Sequence, residues 1–132
     1  MSFLIDTDVC SAYLKQVGTV TNRFMQHAGQ LHISTITAAE LYTWALRAKA
    51  PPLRLQGLLD LLGEVTVHDL NHDVAREFGR LRSGFLDAGQ AKPVLDLLIA
   101  ATALVHNLTV VTHNSQDFSG IPGLSQADWL SP

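Results

Sequence analysis

Four acidic residues stand at places from which a folded chain could bring them together: Asp6, Glu40, Asp96 and Asp117. Asp6 directly follows the apolar run Phe3-Leu4-Ile5, while Glu40 and Asp96 lie at the starts of stretches with helical patterning. Carboxylate oxygens are the ligands that Mg²⁺ or Mn²⁺ prefers. Three or four carboxylates that converged without a cation would repel one another. Together, these residue types indicate a divalent-metal site.

Each of these acids also has a simpler structural interpretation. Asp6 suits the cap of a first helix, and Thr37-Ala38-Ala39-Glu40 fits a capping box. Asp96 would complement the positive end of a helix dipole, and Asp117 would form a turn. Taken singly, each acid favours the structural interpretation. Taken jointly, the four acids favour the metal site.

The elements that must position these acids follow from hydrophobic patterning. Short apolar runs predict buried strands at residues 3–5, 31–35, 65–67 and 108–112, with an edge strand at 127–130. Helical patterns cover residues 7–16, 20–28, 37–48, 53–62 and 93–105, and a further helix, capped by Asn71 or Asp73, continues to Gly89. Strands that alternate with helices predict an α/β fold with a mainly parallel sheet. In such sheets the cleft lies at the carboxyl ends of the strands.

The stretch 93–105 is the most apolar of the helical patterns, and Asp96 is its one charge. An apolar residue on nearly every face predicts a helix that is buried on all sides. We expect four of its residues to pack on the sheet, namely Leu97, Leu98, Ala101 and Leu104. Asp96 would then lie at the cleft.

Length and composition limit the class of protein. The 132 residues fit one domain, 1–132, and the composition of 47% hydrophobic and 16% charged residues argues against disorder. The uncharged run from Leu97 to Val105 is too short to cross a bilayer, and the first residues lack a signal-peptide pattern. Cys10 is the only cysteine, so we expect no disulfide, a reducing cytoplasmic environment and a core role for this thiol.

Charge and the remaining polar residues exclude little else. The net charge of −3 weakly disfavours non-specific nucleic-acid binding. If metal neutralised four of the twelve acids, however, eight would remain against nine bases. The six histidines lack zinc-ligand spacing. Arg76 and Arg80 suit a solvated helix face, although their i, i+4 spacing would also let them touch phosphates.

Five segments, in order, resemble the PIN domain, and more narrowly the VapC-type toxin ribonucleases of bacterial toxin–antitoxin pairs. The similarity runs nearly end to end. It is carried by Leu4-Ile5-Asp6-Thr7-Asp8-Val9-Cys10, Ile33-Ser34-Thr35-Ile36-Thr37-Ala38-Ala39-Glu40-Leu41, Leu95-Asp96-Leu97-Leu98-Ile99-Ala100-Ala101, Val111-Thr112-His113-Asn114 with Asp117-Phe118, and Ile121-Pro122-Gly123-Leu124 before Trp129.

The resemblance implies a three-layer α/β/α sandwich in which Asp6, Glu40 and Asp96 are catalytic metal ligands, with Asp117 as the fourth acid. Mg²⁺ would be the cofactor, and Mn²⁺ could substitute. Many relatives have an acid where this chain has Asn114. Asn114 would therefore supply a carbonyl ligand or, like Thr112, contact the substrate.

The function that follows from the resemblance is a metal-dependent endoribonuclease, the toxin of a toxin–antitoxin pair. We expect a structured RNA substrate, with initiator tRNA as the candidate. We also expect a cognate antitoxin, a homodimer and a cytoplasmic location. Surplus apolar residues at 7–28 and 53–62 favour the dimer. The alternative is a PIN-like module that binds nucleic acid or a partner without cutting, and metal-independent RNA affinity without cleavage would identify it.

Overall fold

The computed structural model describes residues 1–131, which form five strands and seven helices. The strands are β1 (Phe3–Ile5), β2 (Leu31–Ser34), β3 (Thr66–His68), β4 (Thr109–Val111) and β5 (Gln126–Ala127). The helices are α1 (Thr7–Leu14), α2 (Gly18–Gln26), α3 (Thr35–Ala45), α4 (Pro52–Glu64), α5 (His72–Asp87), α6 (Val94–His106) and α7 (Ser115–Phe118).

The strands form a single sheet in the order β3-β2-β1-β4-β5, and every pair in it is parallel. Leu4 of β1 lies between His32 of β2 and Val110 of β4. β1 is therefore the central strand, and its carboxyl end leads directly to Asp6. The predicted parallel α/β fold is confirmed. Since the strands are parallel, all of their carboxyl ends lie along one edge of the sheet.

Helices cover both faces of the sheet, and successive side chains of each strand point to opposite faces. Phe3 and Ile5 pack in a core with side chains of α1 to α4. Leu4 and Val110 face the opposite way, into a core built with α5 and α6. The protein is thus a three-layer α/β/α sandwich, and residues of one short strand contribute to both cores.

Helix α6 is less buried than its composition predicts. Leu97 and Ala101 are buried as expected, whereas Leu98 and Leu104 are only half-buried. Val94, Leu95 and Val105 are exposed, with 37–47% of their surface accessible. The prediction of a helix buried on all sides was therefore wrong. Packing with the sheet on one side and α5 on another still leaves one face open.

Several element boundaries differ from those that the sequence predicts. α3 begins at Thr35 rather than Thr37, because the Ser34 hydroxyl caps it by accepting a hydrogen bond from the Thr37 N–H at 3.1 Å. The short helix α7 was not predicted, and the edge strand β5 spans only Gln126–Ala127. Within residues 1–131, no helix is both long enough and apolar enough to cross a bilayer.

Candidate active site

Asp6 lies at the carboxyl end of the central strand and is 6% exposed. Its Oδ1 accepts a hydrogen bond from the Thr7 N–H at 2.8 Å, so it caps α1 as one interpretation of the sequence required. Its Oδ2 accepts a second bond from the Thr112 hydroxyl, also at 2.8 Å. Burial first, and then the nearby charge of Asp8, raise the pKa of Asp6 to about 7, despite these hydrogen bonds. The cap does not explain the raised pKa, because the hydrogen bond from Thr7 acts to lower it.

Glu40 lies on α3, and its carboxylate accepts a hydrogen bond from a residue of α1. The Thr7 hydroxyl donates to Glu40 Oε1 at 2.7 Å and lies 3.2 Å from the hydroxyl of Thr37. In a capping box Glu40 would instead bond the backbone N–H of Thr37. That interpretation fails, since Ser34 caps the helix and Thr37 is inside its first turn. The side chain of Glu40 is thus free of a helix-terminal role and is bound to the residue that follows Asp6.

Asp96 lies in the first turn of α6 and is half-buried, as is Asp117 on α7. Burial first, and next the adjacent carboxyl of Asp117, raise the pKa of Asp96 to about 6. The charges of Glu40 and Asp8 add to the increase. Asp96 also contributes to the raised pKa of Asp6. The electrostatic interactions therefore connect all four acids that the sequence singled out.

A fifth acid, Asp8, was given no role by the sequence. Its Oδ2 accepts a hydrogen bond from the backbone N–H of His113 at 3.1 Å, and its Oδ1 accepts one from Val9 at 2.8 Å. Burial raises the pKa of Asp8, and its charge acts on both Asp6 and Asp96. Its position two residues after Asp6 was the available signal. Asp8 attaches the loop after β4 to the start of α1.

The segment after β4 connects Thr112, Asn114 and Asp117. Thr112 is fully buried, and its hydroxyl oxygen accepts the Asn114 N–H at 3.0 Å. The side-chain amide of Asn114 donates to Asp117 Oδ2. The predicted substrate contact of Thr112 has no open surface in this structure, whereas Asn114 is exposed. Thr112 instead supports Asp6 and the turn that leads to α7.

The acids gather at the carboxyl edge of the sheet, the acidic cleft, but they do not form a closed ligand shell. Among residues 1–131, no three His, Cys, Asp or Glu side chains are spaced as ligands of one metal ion. In the same part of the chain, none of the ion pairs involves Asp6, Glu40, Asp96 or Asp117. Desolvated, mutually repelling carboxylates without a basic partner are the donor set that a divalent cation stabilises.

Other candidate groups lie outside this cleft. Cys10 is fully buried, and burial raises the pKa of its thiol, so the predicted core role is confirmed. Arg76 pairs with Asp73, and Arg80 pairs with Glu77, each at i, i+3 on α5. These pairs agree with the interpretation of a solvated helix face rather than with phosphate contacts.

Comparison with known proteins agrees with the fold. A PIN domain family model matches residues 3–124. The tRNA(fMet)-specific endonuclease VapC of Shigella flexneri is 28% identical over 130 residues, which cover 98% of each chain. DNA-bound VapBC from Salmonella typhimurium contains a chain with 29% identity and a TM-score of 0.91, at 98% coverage of both chains. A toxin–antitoxin complex from Klebsiella pneumoniae gives 26% identity and a TM-score of 0.76, over 93% of this chain and 95% of that one. The match over nearly the whole chain shows that this protein belongs to the PIN domain family.

Proposed function

We propose that this protein is a metal-dependent endoribonuclease that acts as the toxin of a toxin–antitoxin pair. The observation that carries the proposal is the Asp6 carboxylate. It is buried at the end of the central strand, it has no basic partner among residues 1–131, and its pKa is raised by burial and neighbouring acids. An acid maintained in this state is costly to the fold unless it binds a cation.

The chemistry of the donor set suits a divalent cation, and the carboxylates would have to move closer together to share one ion. Asp6, Asp96 and Asp117 would hold it, with Glu40 completing the set, and their hard oxygen ligands suit Mg²⁺, with Mn²⁺ as a substitute. Such a cation, when bound, supplies Lewis-acid stabilisation of a phosphoryl oxygen and lowers the pKa of water. The residues around the carboxylates have to orient them toward the cation and keep them ionised.

Two threonines orient the carboxylates through hydrogen bonds. Thr112 fixes one oxygen of Asp6 and leaves Oδ1 shared only with the Thr7 N–H. The Thr7 hydroxyl fixes Glu40, so that Asp6 and Glu40 are oriented through consecutive residues. We therefore assign Thr112 to positioning. The exposed amide of Asn114, already bound to Asp117, is the group placed to contact a substrate phosphate or complete the metal shell.

The proposed substrate is structured RNA, with initiator tRNA as the first candidate. The Shigella flexneri relative is a tRNA(fMet)-specific endonuclease, and it matches this chain over 98% of both lengths. A cognate antitoxin is the proposed partner, because the Salmonella typhimurium and Klebsiella pneumoniae neighbours are VapBC and toxin–antitoxin complexes. The activity would take place in the cytoplasm.

We retain a homodimer as part of the proposal. Large apolar side chains are exposed at Val17, Met25, Leu53 and Leu59, with 39–80% of their surface accessible. They belong to the two segments, 7–28 and 53–62, whose apolar surplus predicts self-association. Sedimentation should show a dimer in the antitoxin-free protein. A monomer at every concentration would contradict this assignment.

Cleavage of initiator tRNA by purified, antitoxin-free protein tests the function. EDTA should stop cleavage, and Mg²⁺ or Mn²⁺ should restore it. Asp96→Asn keeps the shape of the side chain but removes one negative ligand, so the rate should fall by roughly 100-fold or more. Asp6→Asn should do the same, and the double variant should cost little more than either, because the two acids act as one unit.

Asp87→Asn is the matched control. Asp87 is exposed at the end of α5, and replacing it removes the same charge without altering the cleft. Its cleavage rate should equal that of the wild type. Cleavage that survives both EDTA and Asp96→Asn would overturn the mechanism. RNA affinity without any cleavage would instead identify a binding module.

A further inference from the structure

We propose that the end of α3 and the loop after it form a phosphate-binding patch that positions the RNA strand in the acidic cleft. The patch consists of Arg47, Lys49 and Arg54, with Trp44 beneath Arg54. This assignment rests on the proposed ribonuclease function, which the experiment below tests separately. None of these residues belongs to the acidic cleft itself.

Charge is distributed unevenly along the chain in favour of this patch. Between Glu40 and Asp60 the sequence contains no acidic residue, yet it contains three of the nine Lys and Arg residues. The chain as a whole carries a net charge of −3. A locally positive segment in an acidic protein marks a place where a polyanion can bind despite overall repulsion.

The Arg54 guanidinium is fixed in place. Its central carbon lies 4.9 Å from the centroid of the Trp44 ring, a cation–π contact. One terminal nitrogen also donates to the Trp44 carbonyl oxygen at 3.4 Å. The remaining N–H groups have no carboxylate partner among the ion pairs of residues 1–131. A pre-oriented guanidinium with free donors suits bidentate contact with phosphate oxygens.

Two of the other six cations are paired with acids. Arg76 and Arg80 pair with acids on their own helix. Arg82 lies over the ring of Phe78, and Lys92 donates to the carbonyl oxygens of Gln116 and Ser119. Arg47 and Lys49 are exposed, and neither forms an ion pair in the part of the chain that the structure describes. Three cations without an acid partner among residues 1–131 therefore lie close together after α3, at Arg47, Lys49 and Arg54.

The patch is continuous with the cleft through α3. Trp44 follows Glu40 by four residues, so the two side chains are neighbours on one helix face, one turn apart. Trp44, Arg47, Lys49 and Arg54 line an open depression of about 750 Å³. A strand with one phosphate at the acids would thus place following phosphates over the basic residues. Charge complementarity and this continuity favour the substrate RNA as the occupant.

Phosphate contacts of this kind contribute affinity and register rather than base specificity. Each contact adds about 0.7 to 0.9 to the slope of log affinity against log salt. Removing two contacts should therefore reduce the loss of affinity between ~50 and ~200 mM salt by about tenfold. The same change should raise KM and leave kcat nearly unaltered, because binding in the ground state and in the transition state is weakened equally.

The experiment uses the double variant Arg47→Ser/Lys49→Ser, which changes two exposed side chains. Binding of an initiator tRNA transcript is measured in the Asp96→Asn background with Mg²⁺ present at several salt concentrations. Cleavage is measured in the otherwise wild-type protein. The patch variant should show the shallower salt slope and a KM raised about tenfold. Thermal unfolding should confirm that it remains folded.

Arg76→Ser/Arg80→Ser is the matched control, since it removes the same charge from residues that are already paired with acids. It should keep the wild-type slope and KM. The charge-conserving exchange Arg47→Lys/Lys49→Arg should retain both as well. A general effect of net charge would instead change the slope equally in both serine variants, and that result would overturn the patch.

Other outcomes separate the patch from the proposed function. A wild-type protein that cleaves RNA, with a patch variant unchanged in slope and KM, would refute the patch alone. If tRNA binding depended on the patch but the wild-type protein did not cleave, the proposed nuclease activity would be refuted, and the RNA-binding role of the patch would stand. Absence of tRNA binding would overturn the patch. Substitutions that altered only inhibition by an acidic protein partner would assign the surface to that partner instead.

Discussion

The Thr112 hydroxyl donates a hydrogen bond of 2.8 Å to Oδ2 of Asp6, across 106 positions of sequence. Both side chains are buried where β1 and β4 end next to each other. The same hydroxyl oxygen accepts the Asn114 N–H at 3.0 Å. One threonine therefore orients the central acid of the cleft and fixes the turn that leads toward Asp117.

Thr112→Val should impair cleavage without unfolding the protein. Valine has nearly the same shape, but it removes the donor to Asp6 and the acceptor for Asn114. Groups that orient metal ligands typically contribute ~10–100-fold to metal affinity or activity. We expect a cleavage rate reduced by about that factor, and a metal requirement shifted to higher concentration. Titration of Mg²⁺ or Mn²⁺ against the rate is the measurement.

Thr102→Val is the control for that change. Thr102 is also buried, and its hydroxyl donates to the carbonyl oxygen of Leu98 at 2.9 Å within α6, away from the acids. It should lose a similar small amount of stability and keep the wild-type metal requirement. An equal loss of activity in both valine variants would show that the Thr112 effect is one of general packing.

The second prediction concerns the metal-free stability of the cleft. Burial and neighbouring charges raise the pKa of Asp6 from 3.8 to about 7 and that of Asp96 to about 6. A raised carboxyl pKa means that the folded state retains protons that the unfolded state releases. In EDTA the contribution of these groups to stability is therefore complete below about pH 4 and is lost as pH rises to about 7.

Asp6→Asn abolishes this ionisation while it preserves the cap to Thr7. At pH 8 in EDTA the variant should be more stable than the wild type by a free energy of unfolding on the order of 1–3 kcal/mol. It should therefore also unfold at a higher temperature. The advantage should shrink toward pH 4. Thermal unfolding from pH 4 to 8 measures it, with Asp87→Asn as the charge control. A difference from wild type that stays constant with pH would contradict this account.

Most of the fold follows from local patterns in the sequence. The buried runs at 3–5 and 31–35, followed in each case by helical patterning, correctly predict the parallel α/β sheet, since few other arrangements bury them. The strand end and first-turn positions of Asp6 and Asp96 also place them correctly, because parallel strands share one carboxyl edge. Helix ends are less well predicted, as shown by Thr35, where a side-chain hydrogen bond decides the boundary.

Contacts between distant residues could not be predicted in the same way. The capping-box pattern at Thr37 and Glu40 is satisfied in sequence, yet Glu40 bonds to Thr7 on another helix. The exposure of Leu95 depends on which side of α6 the sheet and α5 occupy, and composition alone does not determine that. Asp8 likewise gains its role only when His113 folds back beside it.

The third prediction tests the burial of α6. Leu97 is 1% exposed, so Leu97→Asp would place an unpaired charge in the core, and the cost should be several kcal/mol. Leu95→Asp makes the same chemical change two residues earlier, where 47% of the residue's surface is exposed, and it should cost about 0.5 kcal/mol or less. Urea unfolding of the two variants provides the comparison. Equal midpoints would contradict the orientation of the helix.

A cluster of three histidines lies away from the acids, on β2, β3 and the end of α6. His32 Nδ1 and His68 Nε2 are 2.8 Å apart in a hydrogen bond, and the rings of His68 and His106 stack with centroids 3.9 Å apart. The Nε2 atom of His106 is buried and has no hydrogen-bond partner in the described chain. Stacked rings with a single shared hydrogen bond accommodate neutral imidazoles better than charged ones.

The last prediction follows from the sign of that preference. Burial first, and then the proximity of His106, lower the pKa values of His32 and His68 below 6.5. The charge of His32 lowers that of His68 further, while the charge of Asp69 opposes this effect. Below about pH 6.5 the unfolded chain therefore binds more protons at these sites, and stability decreases as pH falls. His68→Gln removes one of the two sites, so its unfolding temperature should decline less than that of the wild type between about pH 7.5 and 5.5.

His72→Gln, at an exposed position on α5, should follow the wild type. Since the acids of the cleft act in the opposite direction over this range, the measured quantity is the difference between each variant and the wild type at each pH. A His68→Gln difference that does not change with pH would show that the cluster binds no proton on unfolding.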